Sequence, residues 1–388
     1  MRGLDSVTDW FEKVNNYGKI VCRKIRIPQR LAIPLLVAAI VKSAVYCWIQ
    51  LSVNSRPDLF SFESWWEVFT IWDGGWYNLI ATYWYGGIPP QLAIPTNQSF
   101  AFFPGFPTII RGVGLAAGNF VLAQVGLAIV FGLLWIPLFQ VVAEQYLSQK
   151  DALSSTVIAA LFPTVFLFTS VGYSEGFFLT LILASWLFYL RKKPFWATIF
   201  ATAASLTRVV GVIIIVPMIL EKGLEKKFRE AFVFMLPVLA QMAWFFYGYV
   251  KTGDYFVFFK AQGYWGNRMF ISQYVIPALF QSNPPYPFNL PYTESFVGVV
   301  ICLFGVFLLL VGKVFEVDCK LGVYSALTFF IIVMCGSILS YPRFLSFIFP
   351  FWLLFKAKRR WMLVLVASIL GLCNVFFVYL FARWVFLG

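Results

Sequence analysis

The sequence NFVLAQVGLAIVFGLLWIPLFQVVA, from Asn119 to Ala143, decides the fold of this chain. It contains no charged side chain, and it is longer than the roughly 20 residues that a helix needs to cross a bilayer. Because lipid offers no hydrogen-bond partner to backbone N–H and C=O groups, such a segment is predicted to be helical. The segment therefore predicts a chain that is embedded in a membrane.

Apolar segments of the same kind recur on both sides of it. They predict further helices at about 31–53, 152–171, 176–190, 195–220, 231–250, 295–312, 321–340, 342–355 and 361–386. The pattern predicts an all-α polytopic membrane protein with about 10 to 12 transmembrane helices. We expect a single membrane domain over residues 1–388 and no soluble domain.

The composition agrees with this fold class. Of the 388 residues, 61% are hydrophobic and only 12% are charged, whereas soluble domains carry about 25% charged residues. The net charge of +13 could indicate nucleic acid, but the cations cluster in short segments beside apolar runs, as membrane topology predicts. We expect membrane lipids as partners, and no nucleic acid.

The chain has no histidine, which excludes imidazole acid–base catalysis and histidine-ligated metals. Its six cysteines show no metal-ligand spacing. We therefore predict no required cofactor and no metal site, while a divalent metal held by carboxylates stays open.

The basic segments predict the topology, because Lys and Arg concentrate on the cytoplasmic side of membrane proteins. Residues 1–30 are predicted to be a cytoplasmic amphipathic N-terminus. Three other basic segments are predicted to share that side: 191–193, 222–229 and 356–360. An outer loop, 54–118, then carries an acidic motif on the opposite side. The same outer side is predicted to hold 172–175, 251–293 and 340–343.

One segment conflicts with a simple crossing, because both flanks of 195–220 are basic. A hairpin of two half-length helices, 195–207 and 209–220, resolves the conflict if the chain turns near Arg208 inside the membrane. A broken helix is permitted there when it lines a protein cavity.

Aromatic residues in the outer loop recur at helical spacing and predict two interfacial helices with Gly74-Gly75 between them. The residues in this pattern are Phe62, Trp65, Trp66, Phe69, Trp76, Leu79, Ile80 and Tyr83.

Carboxylates are the remaining general bases, and Asp73 is the first candidate because it lies between the two predicted helices. The alternative is that Asp73 only caps the second helix. Glu175 is a second acidic candidate in a short outer turn, where Ser174 could cap the next helix and the helix dipole would favour Glu175.

Arg208 is the first cationic candidate, because an arginine in an apolar helix costs roughly 2.5 to 3.5 kcal/mol unless it is paired or hydrated. Its guanidinium could hold a lipid-linked phosphate. The alternative is a structural pair with a buried carbonyl or carboxylate. Arg343 and Arg268 follow as outer-side candidates that could instead anchor headgroups. Lys42 ranks below Arg208, since its flexible stem could let it snorkel.

Four motifs together resemble one family. WDGGWYNLIA (72–81), AFFPGFP (101–107), GYSEGFF (172–178) and SLTRVVG (205–211) are similar to the WD, FFPxxP, YSE and TRxxG elements of the PIG-V-type mannosyltransferases. Weaker similarity continues in GYWGNR and YPR. These enzymes belong to the C-type glycosyltransferase superfamily.

The resemblance implies a sugar donor of polyprenyl or dolichyl phosphate, with mannose as the sugar, and a lipid or glycan acceptor. It implies that Asp73 is the catalytic base of an inverting transfer, and that Arg208, Arg343 and Arg268 bind the donor phosphate. The aromatic residues near the acidic motifs are then candidates to bind sugar or acceptor: Trp72, Trp76, Tyr77 and Tyr173.

A transporter or flippase of a lipid-linked substrate is the main alternative, but it would place paired charges near the midplane of repeated halves. For the enzyme we expect an active site on the extracytoplasmic or lumenal face. The membrane would be the cell membrane of a prokaryote or, in a eukaryote, that of the endoplasmic reticulum.

Overall fold

The computed structural model describes residues 29–55, 65–92, 96–263, 306–335 and 340–382. It is 83% helical and has no strand in these ranges. Four described helical segments are apolar and long enough to cross a membrane: Arg30–Leu51, Phe120–Ala143, Phe228–Thr252 and Arg360–Ala382. The chain is therefore an all-α membrane protein, as the composition predicted.

The α-helices are numbered here along the described part of the chain. They are α1 (Gln29–Ser55), α2 (Asp73–Tyr83), α3 (Gly105–Ala117), α4 (Phe120–Ala143), α5 (Gln149–Leu161), α6 (Pro163–Phe168), α7 (Glu175–Leu190), α8 (Pro194–Ser205), α9 (Ile215–Leu224), α10 (Phe228–Val233), α11 (Leu236–Thr252), α12 (Val257–Gln262), α13 (306–317), α14 (Cys319–Cys335), α15 (Tyr341–Ser346) and α16 (Arg360–Ala382). Short 3-10 helices cover Trp65–Thr70, Pro90–Leu92, Thr96–Ala101, Val209–Ile214 and Phe349–Leu354.

Helix α4, the segment that decided the fold, packs closely against α7. Asn119 caps α4 by accepting a hydrogen bond from the Leu122 amide. Gly176 lies so close to α4 that a Cβ atom there would come within 3.0 Å of the Gly132 nitrogen. Small residues let membrane helices approach in this way, so the glycine pair sets the position of α7.

The interruption predicted near Arg208 is present. Helix α8 ends at Ser205, Arg208 is extended with φ −148° and ψ 145°, and a 3-10 helix precedes α9. Gly211 packs against the backbone of Ala204. Residues seven apart on a straight helix would lie about 10 Å apart along its axis, so the chain folds back at this point.

Two of the basic segments lie at the same end of the bundle. Phe234, which follows α10, packs on Tyr189 near the end of α7, with ring centroids 6.0 Å apart. Lys320 lies 5.7 Å from the Tyr189 ring and pairs with Glu221 at 3.4 Å. The segments 191–193 and 222–229 therefore meet at one end, as the hairpin requires.

The start of α1 forms an ion pair with the residue that follows α4, because Arg30 lies 3.3 Å from Glu144.

Helix α7 has 16 residues, so its two ends are separated by about 24 Å. Glu175 at its first turn thus lies far from the basic end. Which side of the membrane each end faces stays a prediction.

Two segments predicted as single long helices are divided, and proline explains the first. The segment 152–171 breaks at Phe162, whose ψ of 129° is extended, because Pro163 disfavours helical geometry in the residue before it. The segment 342–355 is only the short helix α15 followed by a 3-10 helix that has a proline in its first turn. Most of the predicted span 295–312 lies outside the described residues.

In the outer loop, the second predicted helix is present as α2, but the predicted break at Gly74-Gly75 is wrong. Both glycines lie in the first turn of α2, and the chain bends instead at Trp72, which has a φ of 55°. Ile80 is fully buried, so one face of α2 packs into the protein. The first predicted helix is a 3-10 helix at Trp65–Thr70, and Phe62 lies outside the described residues.

Candidate active site

Four charged side chains from distant parts of the sequence meet at one end of the bundle. Arg343 Nη1 lies 2.7 Å from Asp73 Oδ2. Arg343 Nε and Nη2 each lie 2.5 Å from Glu175 Oε1. Arg208 Nη2 lies 2.5 Å from the same Glu175 oxygen. We call these four residues, joined in the order Asp73, Arg343, Glu175 and Arg208, the charge quartet.

The two ends of the charge quartet are accessible and its middle is buried. The side chains of Asp73 and Arg208 are 17% and 16% exposed. Those of Glu175 and Arg343 are only 1% and 3% exposed. A ligand that approaches from outside can therefore reach the carboxylate of Asp73 and the guanidinium of Arg208, while the other two charges neutralise each other inside the protein.

Aromatic rings fix Arg343 in place. Its guanidinium lies 4.6 Å from the centroid of Phe168, 4.8 Å from that of Tyr173 and 5.3 Å from that of Phe344. Cation–π contacts of this kind are worth about 0.5 to 2 kcal/mol each. Since both acids and three rings already surround Arg343, it has little capacity to bind a further anion.

Asp73 is the first residue of α2, and its carboxylate does not cap the helix. The capping position is Trp72, and no side chain makes a cap hydrogen bond there. The Asp73 amide donates instead to the Tyr173 hydroxyl at 3.2 Å. The other oxygen of Asp73, Oδ1, has no hydrogen-bond partner among the described residues. Capping is therefore not the role of this side chain.

Trp72 has an unusual backbone. A φ of 55° is strained for a residue with a bulky side chain, and such strain clusters at functional sites. The side chain is 36% exposed. Solvent therefore reaches part of the Trp72 side chain beside Asp73, and its contact with a sugar stays a prediction.

Ser174 links the quartet to α2 and does not cap α7, because no cap hydrogen bond is formed. Its hydroxyl lies 2.8 Å from the Tyr77 hydroxyl and accepts a hydrogen bond from Arg208 Nε at 3.2 Å. Burial raises the pKa of the Tyr77 phenol to about 12, so this hydroxyl stays protonated. Glu175 lies in the first turn of α7, the position at the helix dipole that was its predicted alternative, and it also binds both arginines.

Gln124 is a site residue that the sequence interpretation missed. From the second turn of α4 it donates to the carbonyl oxygens of Gly74 at 2.8 Å and Gly172 at 2.6 Å. Its own carbonyl oxygen accepts from Asn78 at 3.1 Å. Gln124 thus ties α2 to the turn that carries Glu175. A polar amide within an uncharged, mainly apolar span was the available signal.

Lys42 supports the same turn from α1, and the prediction that it could snorkel is wrong. The side chain is 3% exposed. It donates to the hydroxyls of Ser170 at 2.6 Å and Thr169 at 3.0 Å, and to the Thr169 carbonyl at 3.0 Å. These oxygens accept the hydrogen bonds of the ammonium inside the protein, so the group does not extend toward the membrane surface. One turn later, the Tyr46 hydroxyl donates to the Ser170 carbonyl at 2.7 Å.

The AFFPGFP motif supports the segment that carries Arg208. The Gly105 amide donates to the Leu206 carbonyl at 2.6 Å. A Cβ atom at Gly105 would lie 2.5 Å from the Thr207 hydroxyl and 2.8 Å from the Leu206 carbonyl oxygen. Only glycine permits this approach, which explains why the two motifs lie together.

The other predicted aromatic residues have different surroundings. Trp76 is partly buried and stacks on Phe102 at 5.8 Å. Tyr77 and Tyr173 are 4% and 1% exposed, so their ring faces are covered by protein. Arg268, the third predicted phosphate ligand, lies outside the described residues and stays a prediction.

Asp73 and Glu175 each place one carboxylate oxygen on Arg343. Within the described ranges, no three or more Asp, Glu, Cys or His side chains lie close enough to hold a metal ion.

No protein-family model matches this chain, and no curated protein matches it.

Proposed function

We propose that this chain is a membrane glycosyltransferase of the C-type superfamily. It takes a sugar, mannose by the resemblance of its motifs, from polyprenyl or dolichyl phosphate. The sugar passes to a hydroxyl of a lipid or glycan acceptor on the extracytoplasmic side. The observation that carries the proposal is the charge quartet, which offers an accessible carboxylate at one end and an accessible guanidinium at the other.

Asp73 acts as the general base. Arg343 holds Oδ2 at 2.7 Å and leaves Oδ1 for the acceptor hydroxyl. The carboxylate takes the hydroxyl proton as the acceptor oxygen attacks C1 of the sugar, and the configuration at C1 inverts. A positioned general base contributes about 10² to 10⁴-fold to a rate.

Arg208 binds the phosphate of the donor. Its Nε and Nη2 are held by Ser174 and Glu175, while Nη1 has no partner among the described residues. Because these two contacts fix the orientation of the guanidinium before the donor binds, it can donate hydrogen bonds to the phosphate oxygens without rearranging. As the C1–O bond breaks, the same group stabilises the negative charge that develops on the leaving phosphate.

Arg343 and Glu175 receive different roles from those expected from sequence. Arg343 is buried and shared between two carboxylates, so we assign it to positioning Asp73 instead of binding phosphate. Glu175 is buried and holds both arginines, so we assign it to positioning as well. Tyr77 and Tyr173 support the same arrangement through their hydroxyls. Trp72 keeps its role as a sugar contact.

The location of the quartet favours a transferase over a flippase. Glu175 lies at one end of α7, about 24 Å from the basic end by helix length. A flippase would need its phosphate-binding charges to serve both membrane faces. Under the proposal, the quartet faces the cell exterior of a prokaryote or the lumen of the endoplasmic reticulum, and the protein crosses the membrane several times.

The test is transfer by purified protein in detergent, with polyprenyl-phosphate mannose as donor and extracted membrane lipids as acceptors. Asp73→Asn should lower turnover by about 10² to 10⁴-fold, because it removes the base with little change of shape. Donor binding should persist. Asp254→Asn is the matched control, since Asp254 pairs with Lys260 at 2.6 Å and lies outside the quartet. Equal turnover of both variants and the wild type would contradict the proposal.

A further inference from the structure

The charges of the quartet cancel. Asp73 and Glu175 each carry one negative charge, and Arg208 and Arg343 each carry one positive charge. Two members are almost fully buried, and uncompensated charge in such a place is costly. The net charge that a ligand adds to this cluster should therefore decide which ligand is held.

The donor and the product of the proposed reaction differ in charge at the same phosphate. A lipid-linked sugar is a phosphodiester with one negative charge. After transfer, the lipid carries a phosphate monoester with about −1.5 to −2 charges near neutral pH, because its second pKa is about 6. The site must accept the first and release the second.

We propose that the charge quartet selects the singly charged phosphodiester, and that it holds the doubly charged monoester only while Asp73 carries the proton taken from the acceptor. This inference rests on the proposed function. Loss of that proton to water then drives release of the lipid phosphate.

The charges balance at each step. The acceptor oxygen forms a bond to C1 and gives its proton to Asp73. The bond between C1 and the phosphate oxygen breaks, and its electron pair stays on the phosphate. Quartet and phosphate together carry −1 before transfer, and they carry −1 after it, because Asp73 is then neutral. When Asp73 loses the proton, the total becomes −2 and the monoester is repelled.

The Arg208 and Asp73 ends of the quartet are connected through Glu175 and Arg343. Arg208 Nη2 and Arg343 Nη2 each lie 2.5 Å from the same Glu175 oxygen, so twice that distance, 5.0 Å, is the most that can separate them. Arg343 is also the partner of Asp73 at 2.7 Å. When Asp73 becomes neutral, Arg343 keeps only Glu175, and the quartet gains one positive charge beside the phosphate site.

The groups that face Asp73 come from every element around it. They are Arg343 of α15, Glu175 of α7, Tyr77 of α2, Tyr173 of the preceding turn and Arg208. Both phenols stay neutral near neutral pH, since burial is the main cause that raises the pKa of Tyr77 and of Tyr173. Asp73 is thus the accessible acid of the cluster.

The experiment compares a short polyprenyl phosphate monoester with its methyl phosphodiester by titration calorimetry in detergent, at about pH 8, where the monoester is doubly charged. Asp73→Asn mimics the protonated acid. Coulomb energy scales with ligand charge, so the fold-gain in monoester affinity should be about the square of that for the diester. A gain of about 3-fold for the diester would accompany about 10-fold for the monoester.

Asp254→Asn removes the same charge outside the quartet and should leave both affinities unchanged. Equal gains for both ligands would overturn the inference alone. If neither ligand binds through Arg208, with Arg208→Ala equal to wild type, the proposed function fails instead.

Discussion

Replacing Arg343 with methionine tests whether this arginine is structural, because the change removes its charge and keeps a similar apolar stem. Removing one partner of a buried ion pair typically costs 3 to 5 kcal/mol. Glu175 keeps Arg208 as a partner, and Asp73 is 17% exposed. Both facts move the expected loss toward the lower end, about 3 kcal/mol. Lost contacts with the Phe168 and Tyr173 rings add about 0.5 to 2 kcal/mol each.

The same change at Arg208 should be milder. Arg208 is 16% exposed and contacts one carboxylate, and Arg343 stays on that carboxylate. We expect Arg208→Met to lower the free energy of unfolding by about 1.5 to 3 kcal/mol, the value of a hydrogen bond to a charged group.

Unfolding in detergent, followed by tryptophan fluorescence, gives the order of stability. We predict wild type above Arg208→Met, and Arg208→Met above Arg343→Met. Donor titrations on the milder lysine variants separate the roles, because lysine keeps the charge but loses the planar fork. Arg208→Lys should weaken donor binding, and folded Arg343→Lys should not. The reasoning is refuted if the two methionine variants melt together, or if Arg343→Lys loses the donor while Arg208→Lys retains it.

Three further changes probe the frame around the site. Gln124→Leu leaves two buried carbonyls without their donor, so unfolding curves should reveal a loss of about 2 to 4 kcal/mol; a wild-type curve would show that the amide is dispensable. Gly105→Ala should displace the Arg208 segment and weaken donor binding in titrations, whereas Gly112→Ala, with open space around it, should not. With native cysteines replaced, an impermeant thiol reagent added outside should label Lys251→Cys and not Lys226→Cys, and labelling of the latter would contradict the hairpin.

Hydropathy predicted the four long helices well, because a helix can cross a bilayer whenever its residues are apolar enough, whatever their exact order. It predicted the breaks unevenly. The turn at Arg208 followed from the conflict between two basic flanks, but the break at Phe162 was missed, although Pro163 was a local signal. The segment 342–355 also carried a local signal that was missed, because Pro350 lies in the first turn of its 3-10 helix.

The chemistry of the site was predictable in kind, because charged residues stand out in apolar surroundings. Their pairing was not. Arg343 and Glu175 are separated by 168 residues along the chain, and Arg343 and Asp73 by 270. Only the folded chain distinguishes the buried middle of the quartet from its accessible ends, and hence a positioning arginine from a ligand-binding one. Gln124 and Lys42 were visible as polar residues in spans, but their partners were not.

Sugar transfer in native membranes tests the central claim most directly. Membranes from cells that express the chain supply their own acceptors, and they are given polyprenyl phosphate linked to radiolabelled mannose. The measurement is the amount of labelled product other than the donor, at matched protein levels, for wild type and Asp73→Asn. The account predicts a labelled product from wild-type membranes that is absent from Asp73→Asn membranes. Equal amounts of labelled product from the two membranes would contradict it.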